Sequence, residues 1–306
     1  MIKNKKKILI VGGTGFIGKN LSFLCLKNNL SVTVLSKKRP KTKIDKIKYI
    51  ICDITNFHLL KKKINLNFDY VVNLGGNINH SDKKETMKAH FQGCKNLVKI
   101  FQKSKNLKFI QIGSSLEYGK QKAPHYENSI FNKQKLNSPY SKAKFLASKH
   151  LFSIKKRLAF NFTILRLYQV YGPHQKFDRL IPYVIKSCIL NKKFSCSEGS
   201  QYRDFTYVDD ITRAIILILS SKKTNNQIIN LGYGRPIKVV EVIKLINKTI
   251  NKGKPIFGKI KIRKDENLSS FPNVSKAKKL VRWKARTGLL KGLKETIRFY
   301  KKELKK

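Results

Sequence analysis

Acidic residues are scarce in this chain. Asp and Glu number 17 of 306 residues against 67 Lys and Arg, for a formal net charge of +50. A balance so basic first points to nucleic acid or an anionic membrane surface as partner. The distribution argues against a dedicated site of either kind. Lysines run from Lys3 to Lys306 through most helices and loops, and no arginine-rich stripe with interleaved aromatics is present. The reading is a solvated lysine-rich surface, with salt-sensitive adhesion to polyanions but no specific nucleic-acid target. Cysteine is sparse too: five residues, at 25, 52, 94, 188 and 196, with no C-x-x-C pair. An odd number without that spacing reads as free thiols in a reducing compartment. The histidines are scattered, so there is no metal-ligand cluster and no metal is expected. Long apolar runs are also missing. The N-terminal run "KILIV" stops at Gly12 and Gly13, with no full signal-peptide core or cleavage site. "AIILIL" (214–219) is too short to span a bilayer. The expectation is a soluble cytoplasmic protein without membrane attachment.

What is present is a globular pattern. Hydrophobic residues make up 41% of the chain, enough for a sizeable core in one large or two closely joined domains. "KILIV" (7–11), "SVTVL" (31–35), "IKYII" (47–51), "YVVNL" (70–74), "LKFIQIG" (107–113) and "NFTILRL" (161–167) read as buried strands. Helical spacing separates most of them, including one helix over 86–104 and another from Ser138 to about Phe160. This alternation predicts an α/β fold, a Rossmann-like doubly wound parallel sheet. After Gly172 the pattern loosens. Residues 178–190 and 239–250 read as helices, 205–221 as a loop leading into a helix, and "QIINL" (227–231) as one more strand. A short strand after Lys252 and helices near 275–281 and 288–303 complete the tail. The expected division is a dinucleotide-binding domain of residues 1–172 with 202–233. A smaller C-terminal α/β substrate lobe takes 173–201 with 234–306.

Between the first strand and first helix stands G-x-x-G-x-x-G, with Gly12, Gly15 and Gly18. Glycine allows a tight turn and close approach of backbone to a pyrophosphate, which the helix N-terminus then favours. Phe16 and Ile17 complete this candidate cradle. A strand-two acid would accept the ribose 2′-hydroxyls of NAD. Here that strand ends "VLSKKRP", offering Ser36, Lys37, Lys38 and Arg39. Cations and a hydroxyl suit a 2′-phosphate, so NADP(H) is preferred, with NAD(H) the alternative. Asp53, followed by Ile54, could accept from the adenine amino group or cap a helix.

The stretch "SPYSKAKF" (138–145) holds Tyr140 and Lys144 one helical turn apart. An ammonium beside the phenol stabilises phenolate and lowers its pKa, fitting tyrosine for proton transfer at a hydroxyl or keto group. Upstream, "GSSLEYG" (113–119) ends the fifth strand with Ser114 and Ser115, either of which could polarise the same oxygen.

With these segments in order, the chain resembles the extended short-chain dehydrogenase/reductase family, the NAD-dependent nucleotide-sugar epimerases, dehydratases and reductases. "VGGTGFIG", "VVNLGG", "GSSLEYG", "PYSKAK", "LRLYQVYGPHQ", "GSQYRDFTYVDDI", "NLGYGRPI" and the C-terminal "FPNVSKAKKLVRWKARTGLLKGLKETIRFY" all match its landmarks. The resemblance implies that Tyr140 and Lys144 are catalytic, with Ser115 as the family's serine/threonine and Ser114 as the alternative. It implies that Arg203 and Arg263 contact the substrate diphosphate, through a fork suited to phosphate oxygens. Gln169 would face the sugar nucleotide, and Ser114 and Glu117 would line its site. In sugar-nucleotide dehydratases Asp-Glu follows the serine or threonine; here Leu116 replaces the aspartate and Glu117 remains, which argues against water elimination. His90 replaces an asparagine before the glycine of "FQGCKN", and Asn77, Asn79 and His80 fall near the expected sugar pocket. The expected function is an NAD(P)-dependent 4-keto-(6-deoxy)sugar reductase acting on a nucleoside-diphosphate sugar. The alternatives are a 4-epimerase with bound NAD, or a non-catalytic dinucleotide- or RNA-binding protein. A homodimer and products feeding surface polysaccharide or O-antigen assembly follow from the same resemblance.

Overall fold

A computed structural model describes residues 5–77, 82–128, 136, 138–262 and 267–305. In chain order the first part comprises β1 (Lys7–Val11), α1 (Phe16–Lys27), β2 (Ser31–Ser36), β3 (Ile47–Ile51), α2 (Phe57–Lys63) and β4 (Tyr70–Asn73). Then come α3 (Lys83–Met87), a π-helical turn (Lys88–Gln92), α4 (Gly93–Phe101), β5 (Lys108–Ser114), α5 (Pro139–Ser153), β6 (Asn161–Leu167) and β7 (Gln169–Tyr171). The remainder is α6 (Leu180–Ile189), β8 (Lys193–Ser195), β9 (Tyr202–Arg203), β10 (Phe205–Tyr207), α7 (Val208–Ser220), β11 (Gln227–Leu231) and β12 (Ile237–Lys238). It ends with α8 (Val239–Ile250), β13 (Lys254–Ile256), β14 (Ser269–Ser270), α9 (Ser275–Val281) and α10 (Leu289–Glu303).

Seven strands form one sheet in the order β11-β6-β5-β4-β1-β2-β3. All six pairings are parallel. The order turns back between β1 and β4, which opens a crevice at the carboxyl ends of the strands. Because side chains alternate along a strand, each apolar run feeds both faces of the sheet. Ile8, Ile10, Val32 and Val34 pack with α1 and α7, while Leu9, Val11, Val71 and Phe109 pack with α4 and α5. Both layers exclude water, as expected for a parallel sheet covered on both sides. A third apolar cluster joins α6, α8 and α10 through Val184, Ile185, Val242, Ile246, Leu293 and Ile297.

Three local expectations change. The helix expected over 86–104 is broken by the π-turn at 88–92. The helix from Ser138 ends at Ser153, because a 3-10 turn at Lys155–Arg157 redirects the chain into β6. The loop expected before α7 begins as β10, which pairs in parallel with β7 through Phe205 and Gln169.

Asp204 anchors the small pairings to the large sheet. It is fully buried, and its carboxylate accepts from Thr206 Oγ1 at 2.9 Å, Tyr233 N at 2.7 Å and Gly234 N at 2.6 Å. Its own carbonyl accepts from Gln169 N at 3.0 Å. Asp204→Ala removes the acceptor of three donors, one buried and two part-buried. A urea titration should show it less stable by about 3 kcal/mol, with Asp204→Asn losing less.

Candidate active site

The turn after β1 leaves no room for side chains. Gly12 has φ +75°, in the left-handed region, and a Cβ there would sit 2.9 Å from the Leu74 carbonyl oxygen. Gly15 is the N-cap of α1, and its amide bonds Gly12 O at 3.0 Å. Gly18 lies in the first turn of α1, where a Cβ would stand 2.4 Å from Gly12 O. Its hydrogen lets the helix seat directly on the turn. Phe16 and Ile17 open the helix, and the first turn carries no acidic residue. A close-packed bare backbone ending in free amides, at the crevice, fits a dinucleotide pyrophosphate.

The adenosine side is more occupied than the sequence implies. Ser36 is buried and its hydroxyl donates to Lys38 O at 2.8 Å. Lys37 pairs with Asp53 at 2.7 Å. Asp53 also accepts from Thr55 N at 2.9 Å. Burial pushes its carboxyl up, but Lys37 and Thr55 outweigh that and hold it below the usual aspartate value. Ile54 is buried, and its carbonyl accepts from Asn96 Nδ2 at 2.8 Å, which pins the loop after β3. Lys38 and Arg39 are exposed.

The chemical side is built where α5 meets the end of β5. Ser138 caps α5 by accepting from Ser141 N at 3.1 Å, and Pro139 occupies the first helical position, where its missing N–H costs nothing. This start presents Tyr140 in the first turn and Lys144 one turn further in. Lys144 is 4% exposed, and its Nζ donates to Ile112 O at 2.7 Å. Burial lowers its pKa to about 8, against the opposing pull of Glu117 and Cys94. The Tyr140 phenol is hydrogen-bonded with the Ser114 hydroxyl. Burial pushes that phenol up to about 12, the Ser114 bond pulls it back, the Glu117 carboxylate adds to the rise and Arg179 opposes it. The lowered phenol expected from the lysine is therefore not found: Lys144 sits 5.8 Å from the ring centroid, turned to a carbonyl. The His90 ring meets Tyr140 edge-on, centroids 4.9 Å apart. A donor at the phenol, a proton on it and a cation behind it make a general acid–base pair.

The remaining expected residues are more dispersed. Ser115 opens the short 3-10 turn after β5 and is partly exposed, whereas Ser114 at the strand end is the serine on Tyr140. Leu116 is exposed beside them. Glu117 departs from the expectation that it lines the substrate site. It is fully buried, accepting from Ser114 N, the Ser148 hydroxyl and Arg166, so no ligand reaches it. Gln169 begins β7 with an exposed side chain. Arg203 is buried in β9 between β12 and β14, its Nη1 donating to Tyr202 O at 2.7 Å. Arg263, Asn79 and His80 lie outside the described residues. Arg179, at the start of α6, is a cation that the sequence reading missed. It follows no motif, and only the fold brings it within electrostatic reach of Tyr140.

The chain is similar to known proteins over most of its length. Residues 8–232 match the family described as the NAD dependent epimerase/dehydratase family. CDP-abequose synthase of Salmonella muenchen is 27% identical over 97% of this chain and 99% of that protein. UDP-glucuronate 4-epimerase of Thermodesulfobacterium geofontis is 28% identical over 97% and 96%. The crystal structure of UDP-glucuronic acid 4-epimerase from Bacillus cereus, in complex with UDP-glucuronic acid and NAD, superposes with a TM-score of 0.86. It is 25% identical and covers 97% of this chain and 99% of that one.

The glycine turn is testable apart from any reaction. Gly18→Ala should weaken binding of a reduced nicotinamide dinucleotide at least about tenfold, read by fluorescence titration, while circular dichroism stays that of the parent. Unchanged affinity would place the pyrophosphate elsewhere.

Proposed function

The chain belongs to the NAD-dependent epimerase/dehydratase family, and from that premise we propose that it reduces a nucleoside-diphosphate 4-keto-6-deoxy sugar. The observation that carries this reading is the Ser114–Tyr140–Lys144 constellation at the carboxyl end of β5, on the same edge of the parallel sheet as the glycine turn after β1. When bound, the nicotinamide supplies the hydride to the sugar carbon. Tyr140 donates its proton to the substrate oxygen as that oxygen gains charge. Ser114 donates its single hydroxyl hydrogen bond to the same oxygen. Lys144, charged at neutral pH with its pKa about 8, stabilises that phenolate by its field, and its remaining N–H donors are available to a ribose hydroxyl.

Two features support the narrower substrate. Leu116 is 44% exposed next to Ser114, an apolar surface for a C6 methyl and no acid for water elimination. CDP-abequose synthase, a similar protein, makes a CDP-linked sugar by its name. Arg203 and Arg263 are the residues we assign to the substrate diphosphate, with Gln169 towards the sugar. For the cofactor we propose NADP(H): no carboxylate ends β2, and Arg39 with Lys38 is free to meet a 2′-phosphate. The second reading is a 4-epimerase with resident NAD. The Lys37–Asp53 pair favours it by drawing one cation away from the ribose, and so does the NAD bound in the similar epimerase.

NADPH oxidation with a CDP- or dTDP-4-keto-6-deoxy sugar tests the main reading. Tyr140→Phe and Ser114→Ala should each lower kcat by about a hundredfold or more, with Ser115→Ala within a few-fold of the parent. Interconversion of a UDP-sugar pair with NAD, and no net oxidation, would replace reductase by epimerase. Arg39→Asp should raise the KM for NADPH by roughly ten- to a hundredfold and leave that for NADH little changed, as loss of a charge-assisted hydrogen bond requires. Equal effects on both would defeat the NADP(H) assignment.

A further inference from the structure

The proton-transfer scheme makes no use of the carboxylate buried directly behind it. Glu117 Oε1 accepts the Ser114 amide at 2.8 Å. Its Oε2 accepts the Ser148 hydroxyl at 2.7 Å and Arg166 Nε and Nη2 at 3.3 and 3.2 Å. Arg166 is itself buried, with its guanidinium 4.4 Å from the centroid of the Tyr118 ring. One side chain thus ties together three elements: the end of β5 that carries Ser114, the helix α5 that carries Tyr140 and Lys144, and β6. Ser148 lies one turn beyond Lys144 on α5, so the bond to it sets the rotation of that helix against β5.

Stability alone does not account for this arrangement. Taking a carboxylate and a guanidinium out of water is costly, and a well-packed apolar pair of similar volume is often as stable or more so. A site that must hold a hydroxyl and a phenol at hydrogen-bond distance does account for it. We propose that Glu117 is a positioning residue, which fixes the Ser114 hydroxyl against Tyr140 and sets a negative charge behind Tyr140 and Lys144. The inference rests on the reading that Tyr140 moves the proton. It assigns Glu117 no contact with substrate.

The groups that face this charge are few. Tyr140, Lys144 and Ser148 approach from α5, Arg166 from β6 and Tyr118 from its own turn. Cys94 of α4 lies against Lys144, and Arg179 acts on Tyr140 from the start of α6. The Glu117 carboxylate raises both the phenol and the ammonium, holding the protonated form of each. Glu117→Gln keeps an acceptor for the Ser114 amide and removes the charge, so Tyr140 should ionise more readily. In reduction the active phenol is protonated, and the alkaline limb of the rate profile moves down. In oxidation the active form is phenolate, and the acid limb moves down. The sign is the same in either direction of reaction.

The experiment is a pH–rate profile of the Glu117→Gln enzyme, paired with fluorine resonance of a fluorinated tyrosine placed at position 140, which follows ionisation without substrate. Both should move to lower pH by about one pH unit. The kcat should fall while the KM for the sugar nucleotide holds. Glu117→Gln leaves Arg166 buried without its partner and can unfold the chain. The double variant Glu117→Gln, Arg166→Met removes both charges, and should unfold cooperatively and keep the shifted titration. Glu117→Asp, which keeps the charge, should restore the parent titration with a reduced kcat. A double variant that folds and titrates as the parent does would overturn the proposal and leave Glu117 a packing residue. A fluorine shift in a protein that turns over no sugar nucleotide, even unmodified, would sustain the positioning role and sink the proposed function instead.

Discussion

A charged amine is hard to keep inside a protein, and Lys144 is kept there by one short hydrogen bond, 2.7 Å to the carbonyl of Ile112. Burial favours its neutral form, yet its pKa of about 8 leaves it protonated at neutral pH. The carbonyl belongs to β5, which pairs with β4 on one side and β6 on the other, in the middle of the sheet. Its register is fixed there, with Ile112 opposite Leu165 and Ser114 opposite Leu167. Ser114 stands two residues beyond the carbonyl that holds Lys144. The distance between serine and tyrosine is therefore set by a helix docked on an interior strand of the sheet, and not by a loop. A shift of α5 along β5 would break the lysine bond, the Ser148–Glu117 bond and the serine–tyrosine contact together, which ties the geometry of the site to the cooperativity of the fold.

The parts of this arrangement that were legible in the sequence are those carried within one element. All seven sheet strands coincide, to within one residue at either end, with runs read directly, because a strand buried on both faces shows up as an unbroken run. The glycine cradle and the Tyr140–Lys144 spacing were legible for the same reason: the turn and the helix each contain their own pattern. The choice between Ser114 and Ser115 was not. It depends on the residue at which β5 ends and a 3-10 turn begins, and adjacent positions there differ in direction while their letters are identical. The burial of Glu117 was not legible in the motif that placed it at the substrate site, because it depends on partners far off in sequence, Ser148 of α5 and Arg166 of β6. The π-turn at 88–92 was invisible too. Its apolar spacing suits a plain helix; His90, whose ring meets Tyr140, lies within it.

The shortage of acids gives the few that are buried a particular weight. Glu117, Asp204 and Asp210 are each within the protein, and each accepts several hydrogen bonds from separate elements. Asp210 takes Arg286 N at 3.1 Å and Thr287 N at 2.8 Å, and also Arg213, so it fastens α7 to the chain leading into α10. Exposed pairs such as Lys88–Glu85 and Arg298–Glu295 contribute little, since solvent screens them and side-chain entropy opposes them. The three buried carboxylates act as fixtures between elements, while most of the lysines lie on the surface.

The same imbalance shapes how ligands arrive. A surface of net charge +50 raises the local concentration of any polyanion, so a dinucleotide, a sugar nucleotide and a nucleic acid are all drawn in, each less so as salt rises. Such a field cannot distinguish among them. Discrimination has to come from contacts that work only at short range, and the crevice at the ends of β1 and β4 provides them. In the proposed reading the turn between Gly12 and Gly18 takes a pyrophosphate; at Gly12 and Gly18 the backbone packs so closely that a Cβ would stand 2.9 and 2.4 Å from the nearest carbonyl oxygen. A duplex or a single strand of nucleic acid offers isolated phosphates that repeat along a chain and have no paired pyrophosphate to fill that turn. On the proposed reading, long-range charge governs encounter and the glycine backbone governs what stays.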